Sequence, residues 1–368
     1  MPEIPSPILV FGPAYLDRIV RVDRPLVDPS FGDRPLDGSV DGSWTEPGEG
    51  LSLIDPSGNQ IRVQLPDDWP GPSGTIRLSR DLSRSASGWS RMVRSSAWQD
   101  DLGGMGAGFA AALEGELISA LGSEDDPASR TIAGLLAGVG ITHRPIRVEG
   151  TSADWTLLVT SGEHGDKLPI GFRGCHASLR DLGGWSSRES RLRVVASLPN
   201  RLAAEALRGP ASIRMFAPAS RNMLDRDPPI SAFAEWVDVL CCNRGEWEIL
   251  SDREEVAWRV SILVVTDGPN GAVVRFTDPS GEADRVEVPA FPRARPPLDT
   301  NRAGEAFASE LISTLLDAGW TPGVTSSDLA RNAAERASVA SALVLDRGDF
   351  GFPTGREVDQ ALHAGRVG

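Results

Sequence analysis

The sequence predicts an α/β fold in which a mainly parallel sheet is covered by helices on both faces, interrupted early by a β-rich appendage. Three observations carry this expectation. Short continuous apolar runs recur along the chain, amphipathic segments of helical period lie between them, and residues 24–100 are rich in Pro, Gly, Asp and Ser without sustained helical period. A strand buried on both faces of a sheet is apolar throughout, and strands that alternate with helices pair in parallel because each crossover lays a helix on a sheet face.

Ile8, Leu9, Val10 and Phe11, closed by Gly12, form the first such run. In the appendage Ile61, Val63 and Leu65 alternate with Arg62 and Gln64, so a strand there has one apolar and one polar face. Asp55, Pro56, Ser57, Gly58 and Asn59 ahead of it are turn formers, which predicts a hairpin over 51–65, with a third strand expected over 75–78. Residues 28–50 and 79–100 read as surface insertion. Further on, residues 127–139 place Ile132, Leu135, Leu136 and Val139 on one helical face. Val194, Val195 and Ala196, bordered by Arg193, then residues 237–241 and 262–265, continue the strand pattern. Residues 303–318 place Phe307, Leu311, Ile312, Leu315 and Leu316 on a helix face that Gly319 ends. The expected organisation is one α/β domain from residues 1–23 and 101–368, with a β-rich insertion at 24–100.

Composition excludes several functions. Among 368 residues, 37 basic side chains stand against 51 acidic ones, a formal charge of −14, which disfavours attraction to nucleic acid or to an anionic membrane. Lys167 is the single lysine and Leu168 follows it, so no Walker-type phosphate loop exists. Cys175, Cys241 and Cys242 are an odd number, and the adjacent pair lies in an apolar run, which suits buried thiols in a reducing compartment. No cationic leader precedes the first apolar stretch, which is too short to span a membrane, so a soluble, cytoplasmic protein is expected. His143, His164, His176 and His363 make no zinc-ligand spacing with one another or with the cysteines. Trp44, Trp69, Trp89 and Trp98 suit a small core or an interface in the appendage.

The most informative segment runs from Leu298 and Asp299 to Phe307, where a polar turn containing Gly304 feeds directly into the last-mentioned helix. Unpaired backbone N–H groups at such a start, backed by the helix dipole, favour an anion. Glu305 in the first turn also fits a purely dipole-complementing role.

Residues 299–305 resemble the C-terminal motif of the ribokinase-like (PfkB) carbohydrate kinases, Asp-Thr-x-Gly-Ala-Gly-Asp. Other landmarks follow in that family's order. Residues 8–17 resemble its first strand with a substrate-binding aspartate, here Asp17. Gly103, Gly104 and Gly106 resemble its Gly-Gly substrate motif, Asn243 and Glu246 its Asn-x-x-Glu motif, and residues 264–271, with Thr266, Gly268 and Gly271, its nucleotide-side strand and loop. Residues 337–354 resemble the helix and loop beside the nucleotide base.

The resemblance implies a ribokinase-like fold whose β-rich appendage is a lid, and ATP-dependent phosphotransfer to a hydroxyl of a carbohydrate or nucleoside-like small molecule. It assigns Glu305 as the base, and Arg302, Ala303 and Gly304 with it as the anion hole. Asn243 and Glu246 attend hydrated Mg²⁺ and the phosphates, and Asp299, with Gly348, flanks a monovalent cation. A homodimer through the lid is a further expectation. Local readings stand beside these: Asn243 to Glu246 fits an N-cap with the first helical turn, and the glycines at 103–106 fit a turn before a helix near Met105.

The chain departs from the pattern near Ala337, where the family's asparagine beside the base is missing, and at three positions of the implied reaction centre. Arg302 stands for the first glycine of the anion-hole motif, Glu305 for the aspartate, and Gly108 for an asparagine. Arg302 has two opposite readings, obstruction of the phosphate site or an added anion clamp. The departures leave open an alternative, a catalytically degenerate ribokinase-like protein that binds a small molecule or a protein partner.

Overall fold

The computed structural model describes residues 7–26, 41–44, 50–54, 59–66, 90–95, 97–161, 167–295, 297, 301–347 and 350–367. Along the chain β1 (Ile8–Phe11) and β2 (Tyr15–Arg21) precede β3 (Asp41–Trp44), β4 (Leu51–Ile54), β5 (Gln60–Gln64), β6 (Ser90–Arg94) and β7 (Trp98–Gly103). Then come α1 (Met105–Ala112), β8 (Glu116–Leu121), α2 (Pro127–Gly138), β9 (His143–Arg147), β10 (Trp155–Thr160) and β11 (Lys167–Phe172). They are followed by α3 (Cys175–Ser178), β12 (Ser190–Ala196), α4 (Asn200–Arg208), β13 (Ala211–Ala217), α5 (Ser220–Leu224), β14 (Val239–Asn243), α6 (Arg244–Ile249), α7 (Arg253–Arg259) and β15 (Ile262–Thr266). The chain ends with β16 (Ala272–Thr277), β17 (Ala283–Val288), α8 (Ala303–Asp317), α9 (Ser327–Val344) and α10 (Gly355–Ala364).

Two compact units result, one of Met1–Tyr15, Leu102–Asp154 and Arg173–Gly368, the other of Leu16–Asp101 and Trp155–Phe172. These units differ from the boundaries expected from sequence, in that residues 16–23 and the strand pair at 155–172 group with the appendage. The physical reason is pairing. Strand β10 takes β2 as its parallel neighbour from Leu16 to Arg21 and β11 as its antiparallel one, so both leave the large sheet.

The first unit holds a nine-stranded sheet in the order β17-β16-β15-β14-β13-β12-β1-β8-β9. All pairings from β15 to β9 are parallel, and only the β15-β16-β17 edge is antiparallel. The predicted first run is β1 without change of boundary, and the runs at 194–196, 237–241 and 262–265 fall in or overlap β12, β14 and β15. On one face Leu9, Phe11, Val195, Phe216 and Leu240 pack with Leu202, Ala203 and Leu207 of α4 and Val256 of α7. Helices α1, α8 and α9 contact the strands as well, and α8 buries Phe307, Leu311, Ile312 and Leu315. Each such side chain contributes roughly 1.5–3 kcal/mol when fully withdrawn from water. Helix α2 buries Ile132 and Leu136 as predicted, whereas Val139, its C-cap, is exposed. Arg193, in the middle of a core strand, is fully buried, with its guanidinium bonded to the carbonyls of Ser186, Ala206 and Arg188.

The second unit contains two four-stranded sheets, β11-β10-β2-β7 and β3-β4-β5-β6. The expected hairpin is present: β4 and β5 pair antiparallel, Ile61 and Val63 are buried, and Arg62 and Gln64 are exposed. Its core joins Val20, Leu51, Leu53, Ile61, Val63, Val93, Leu157 and Val159, with Trp98, Trp155 and Phe172 against it. The strand expected over 75–78 lies outside the described residues.

Candidate active site

In an open parallel sheet, backbone and side chains at the carboxyl ends of the strands face a crevice where ligands bind. Here Ala217 ends β13, Asn243 ends β14 and Thr266 ends β15. A cavity of about 220 Å³ is lined by these three residues, by Pro218, Cys241, Cys242 and Glu246, and by Met105 and Phe109 of α1. Gly304, Glu305, Phe307 and Ala308 of α8 complete it. Six elements of the first unit thus bring together five residues singled out in the sequence: Asn243, Glu246, Thr266, Gly304 and Glu305.

Helix α8 opens on a left-handed residue. Arg302, its N-cap, takes φ 66° and ψ −1°, the left-handed conformation that glycine adopts at least cost, and no side chain caps the helix there. The first intrahelical bond runs from the N–H of Ala306 to the carbonyl of Arg302 at 2.9 Å, which leaves the N–H groups of Ala303, Gly304 and Glu305 outside the helical ladder. Gly304 is exposed and an added Cβ would meet nothing within 4 Å. The Arg302 guanidinium stands over the Phe350 ring, 5.3 Å from its centroid.

Glu305 is half-buried as a whole, yet burial of its carboxyl dominates its titration and raises the pKa. The carboxylate accepts a bond from its own backbone N–H, which together with the Arg302 charge opposes the rise, while the Glu246 charge adds to it. A raised carboxyl pKa moves a base toward neutral pH, where acid–base catalysis is most effective.

Glu246 belongs to a capping box. Asn243 Oδ1 accepts from the Glu246 N–H at 2.9 Å and Glu246 Oε2 accepts from the Asn243 N–H at 3.0 Å, so the local N-cap reading of this pair holds. The box also aims the carboxyl into the cavity wall, where burial raises its pKa against bonds from Asn243 and Ser220. Arg244 Nε reaches Asp267 Oδ2 at 2.7 Å, tying this helix start to the turn after β15. Both adjacent cysteines are buried and free, as the apolar run implied, and burial pushes the Cys241 thiol up to about 12.

The other sequence-selected residues are placed elsewhere. Gly268 and Gly271 shape the turn after β15 with φ of 51° and 92°, and a Cβ on Gly271 would lie 2.0 Å from the Val288 carbonyl oxygen. Gly103 ends β7; Gly104 has φ 97°, and a Cβ there would lie 2.4 Å from the Pro13 oxygen. Gly106 packs on Gly12, where a Cβ would come 2.4 Å from its carbonyl carbon. Close backbone packing thus accounts for Gly104 and Gly106. Asp17 lies half-buried on β2 of the second unit, in register with Thr156. Asp299 and Gly348 fall outside the described residues. Sequence reasoning missed Pro218 and Ser220, although a proline and a serine directly after a buried strand end were the available signal, and it gave Phe350 no part.

In fold the chain is similar to ribokinase from Giardia lamblia, at TM-score 0.63 and 16% identity over 98% of this chain and 99% of that one. It is similar to Burkholderia thailandensis nucleoside kinase in complex with inosine, at TM-score 0.61 and 16% identity over 97% and 98%. It is also similar to Arabidopsis thaliana ribokinase complexed with ribose and ATP, at TM-score 0.58 and 15% identity over 98% and 99%. No curated protein matches the chain in sequence. Among the described residues no helix is long and apolar enough to cross a membrane. The pfkB family of carbohydrate kinases matches residues 80–353, about three quarters of the chain, and with the ribokinase-like sheet and the uncapped start of α8 already described, the chain belongs to that family.

Proposed function

We propose that the chain catalyses ATP-dependent phosphotransfer to a hydroxyl of a carbohydrate or nucleoside-like alcohol. One observation carries the reading: the Glu305 carboxyl, its pKa raised, lies in one cavity with the opening of α8, whose first amides are outside the helical ladder. Phosphoryl transfer needs little covalent chemistry from the protein. It needs an alcohol deprotonated in line and oriented donors for the charge on the moving group. Glu305 takes the alcohol proton, and the N–H groups of Ala303 and Gly304 receive the phosphoryl oxygens.

The half-buried Glu246 carboxyl, backed by Asn243, fits Mg²⁺ held through water, since magnesium keeps several waters and uses few protein carboxylates. When bound, the ion neutralises phosphate charge. Thr266, Gly268 and Gly271 form the nucleotide side, and Asp17, Gly103, Gly104 and Gly106 the substrate side. Asp299 belongs to a monovalent-cation site. The second unit acts as a lid that excludes water and offers a homodimer surface. The ribose, inosine and ATP named for the similar structures support this choice of substrates. We further propose a cytoplasmic location, without nucleic acid or membrane partners.

A second reading draws on the bond between the Glu305 carboxylate and its own N–H, which engages an anion-hole amide. In it the cleft binds a small molecule or a protein partner without turnover. Mg²⁺-dependent ATP binding, followed by ADP release over a panel of sugars and nucleosides, separates the two. Binding with turnover that Glu305→Gln abolishes supports the kinase; no nucleotide binding in either condition removes it.

A further inference from the structure

Away from this cavity, three side chains with metal-ligating atoms meet in the interior of the first unit. Asp154 precedes β10, and Cys175 and His176 open α3, 21 and 22 residues later. All three are buried: the side chains of His176 and Asp154 are 1% and 0% exposed, and Cys175 is 0% exposed. Cys175 Sγ lies 3.5 Å from Asp154 Oδ1 and 3.6 Å from His176 Nδ1, and His176 Nδ1 lies 3.5 Å from Asp154 Oδ2. A tetrahedral ion bonded at about 2.0 Å to oxygen, about 2.0–2.1 Å to imidazole nitrogen and about 2.3 Å to sulfur holds its donors roughly 3.3–3.6 Å apart. The edge from Nδ1 to Oδ2 and that from Nδ1 to the sulfur have about that length, and one donor atom from each of the three residues lies within 4.8 Å of the other two.

The backbone sets the carboxylate in place. Asp154 Oδ1 accepts from the N–H groups of Gly174 at 2.9 Å and His176 at 3.2 Å. Asp154 Oδ2 and His176 Nε2 are buried without a hydrogen bond, an unusual state for polar atoms in a core. The oxygen that faces the imidazole thus has only longer contacts, to His176 Nδ1 at 3.5 Å and Arg173 Nε at 3.9 Å.

We propose that Asp154, Cys175 and His176 form a zinc site that shares no residue with the phosphotransfer cavity. Sulfur, imidazole and carboxylate together suit Zn²⁺, whereas Mg²⁺ and Ca²⁺ take oxygen donors. On binding, the Cys175 S–H bond breaks, its sulfur bonds the ion, and one proton leaves to solvent. The thiolate and carboxylate then balance the ion's two charges. The charge balance matters because Arg173, with Nε 3.9 Å from Asp154 Oδ2, already contributes a positive charge. Asp154 is the last residue of the first unit before the chain leaves for 155–172, and Arg173 is where it returns. The ion thus ties both crossings together, a structural role linked to folding.

The test uses the full chain stripped with a chelator and titrated first with Co²⁺, then with Zn²⁺. One equivalent of Co²⁺ is expected, with a thiolate-to-cobalt charge-transfer band, release of about one proton per ion, displacement by Zn²⁺, and a Tm raised by Zn²⁺. Cys175→Ser removes the band, Asp154→Asn and His176→Gln weaken Zn²⁺ binding at least tenfold, and Cys241→Ser and Cys242→Ser keep the band. No cobalt bound by the wild-type chain, or a band that survives Cys175→Ser, overturns the proposal. The wild-type titration decides by itself if a variant does not fold.

Discussion

Glu305 rests its methylene groups against the backbone of Gly108: a Cβ built on Gly108 would stand 3.2 Å from Glu305 Cγ and 3.5 Å from Glu305 Cβ. Two departures from the family pattern are thus one packing event. The Glu305 methylenes occupy the space beside α1 that a larger residue at 108 would need. Phe352 Cζ lies 3.5 Å from the same point, so a new side chain there meets an aromatic ring as well.

Gly108→Asn is therefore expected to displace the carboxyl and lower kcat by ~10²-fold, the scale of an ångström-sized misplacement. Gly108→Asn combined with Glu305→Asp should be more active than Gly108→Asn alone. Steady-state ADP release from the four chains of this double-mutant cycle measures the coupling, and strictly additive effects would show that the two positions do not communicate.

The raised pKa of Glu305 sets the sign of two pH effects. A carboxyl whose folded pKa exceeds its unfolded one contributes stability below the unfolded value and loses it as pH rises through the folded value. Glu305→Gln should therefore be more stable than wild type at neutral pH, with the difference vanishing in acid. In kcat/KM profiles the acid limb should lie above the ordinary glutamate range, and Glu305→Gln should lower kcat by ~10²–10⁴-fold. Urea midpoints from pH 4 to 8, with rate profiles over the same range, test both signs.

Arg302 tests whether the helix opening needs its left-handed turn. In a helix interior glycine is less stable than alanine by roughly 0.5–1 kcal/mol, but at φ 66° the order reverses because a Cβ itself is costly there. Arg302→Gly should be more stable than Arg302→Ala by about 1 kcal/mol. Both variants lose the stacking on Phe350, so that contribution cancels between them. Because the Arg302 charge lowers the Glu305 pKa, either change should also move the acid limb of kcat/KM upward. Equal stabilities of the two variants would argue against the turn.

His143 predicts a separate acid sensitivity. Its Nε2 lies 2.8 Å from Ser119 Oγ, and burial, with the Arg147 charge, lowers its pKa from 6.5 to about 4. The unfolded chain takes up this proton near 6.5 and the folded chain only near 4, so stability falls as pH drops through that window and is level below it. The loss is on the order of 2–3 kcal/mol, given partial exposure of the ring. His143→Gln should flatten the dependence of unfolding free energy on pH between 7 and 4.

How far the sequence could be read depends on whether a residue's partner is near in the chain. The apolar run of β1, the two-faced strand at Ile61 and Val63, and the α8 face through Leu311 and Leu315 announce themselves, because burial imposes its period directly on neighbouring positions. The Asn243–Glu246 box is legible for the same reason, since its two bonds span three residues. The strands at 155–172 read as part of the α/β domain, and only pairing with β2 moves them to the other unit.

Chain-local pattern alone thus determined the fold class, most elements of the large sheet and the start of α8. Tertiary structure alone decided that Gly108 makes room for Glu305 and that Glu246 and Glu305 share a cavity. It also decided that Asp154 meets Cys175 and His176, a cluster that histidine and cysteine spacing concealed. Periodicity records how each residue faces the core, whereas charge repulsion, packing volume and ligand geometry depend on distances between segments that the order of residues does not encode.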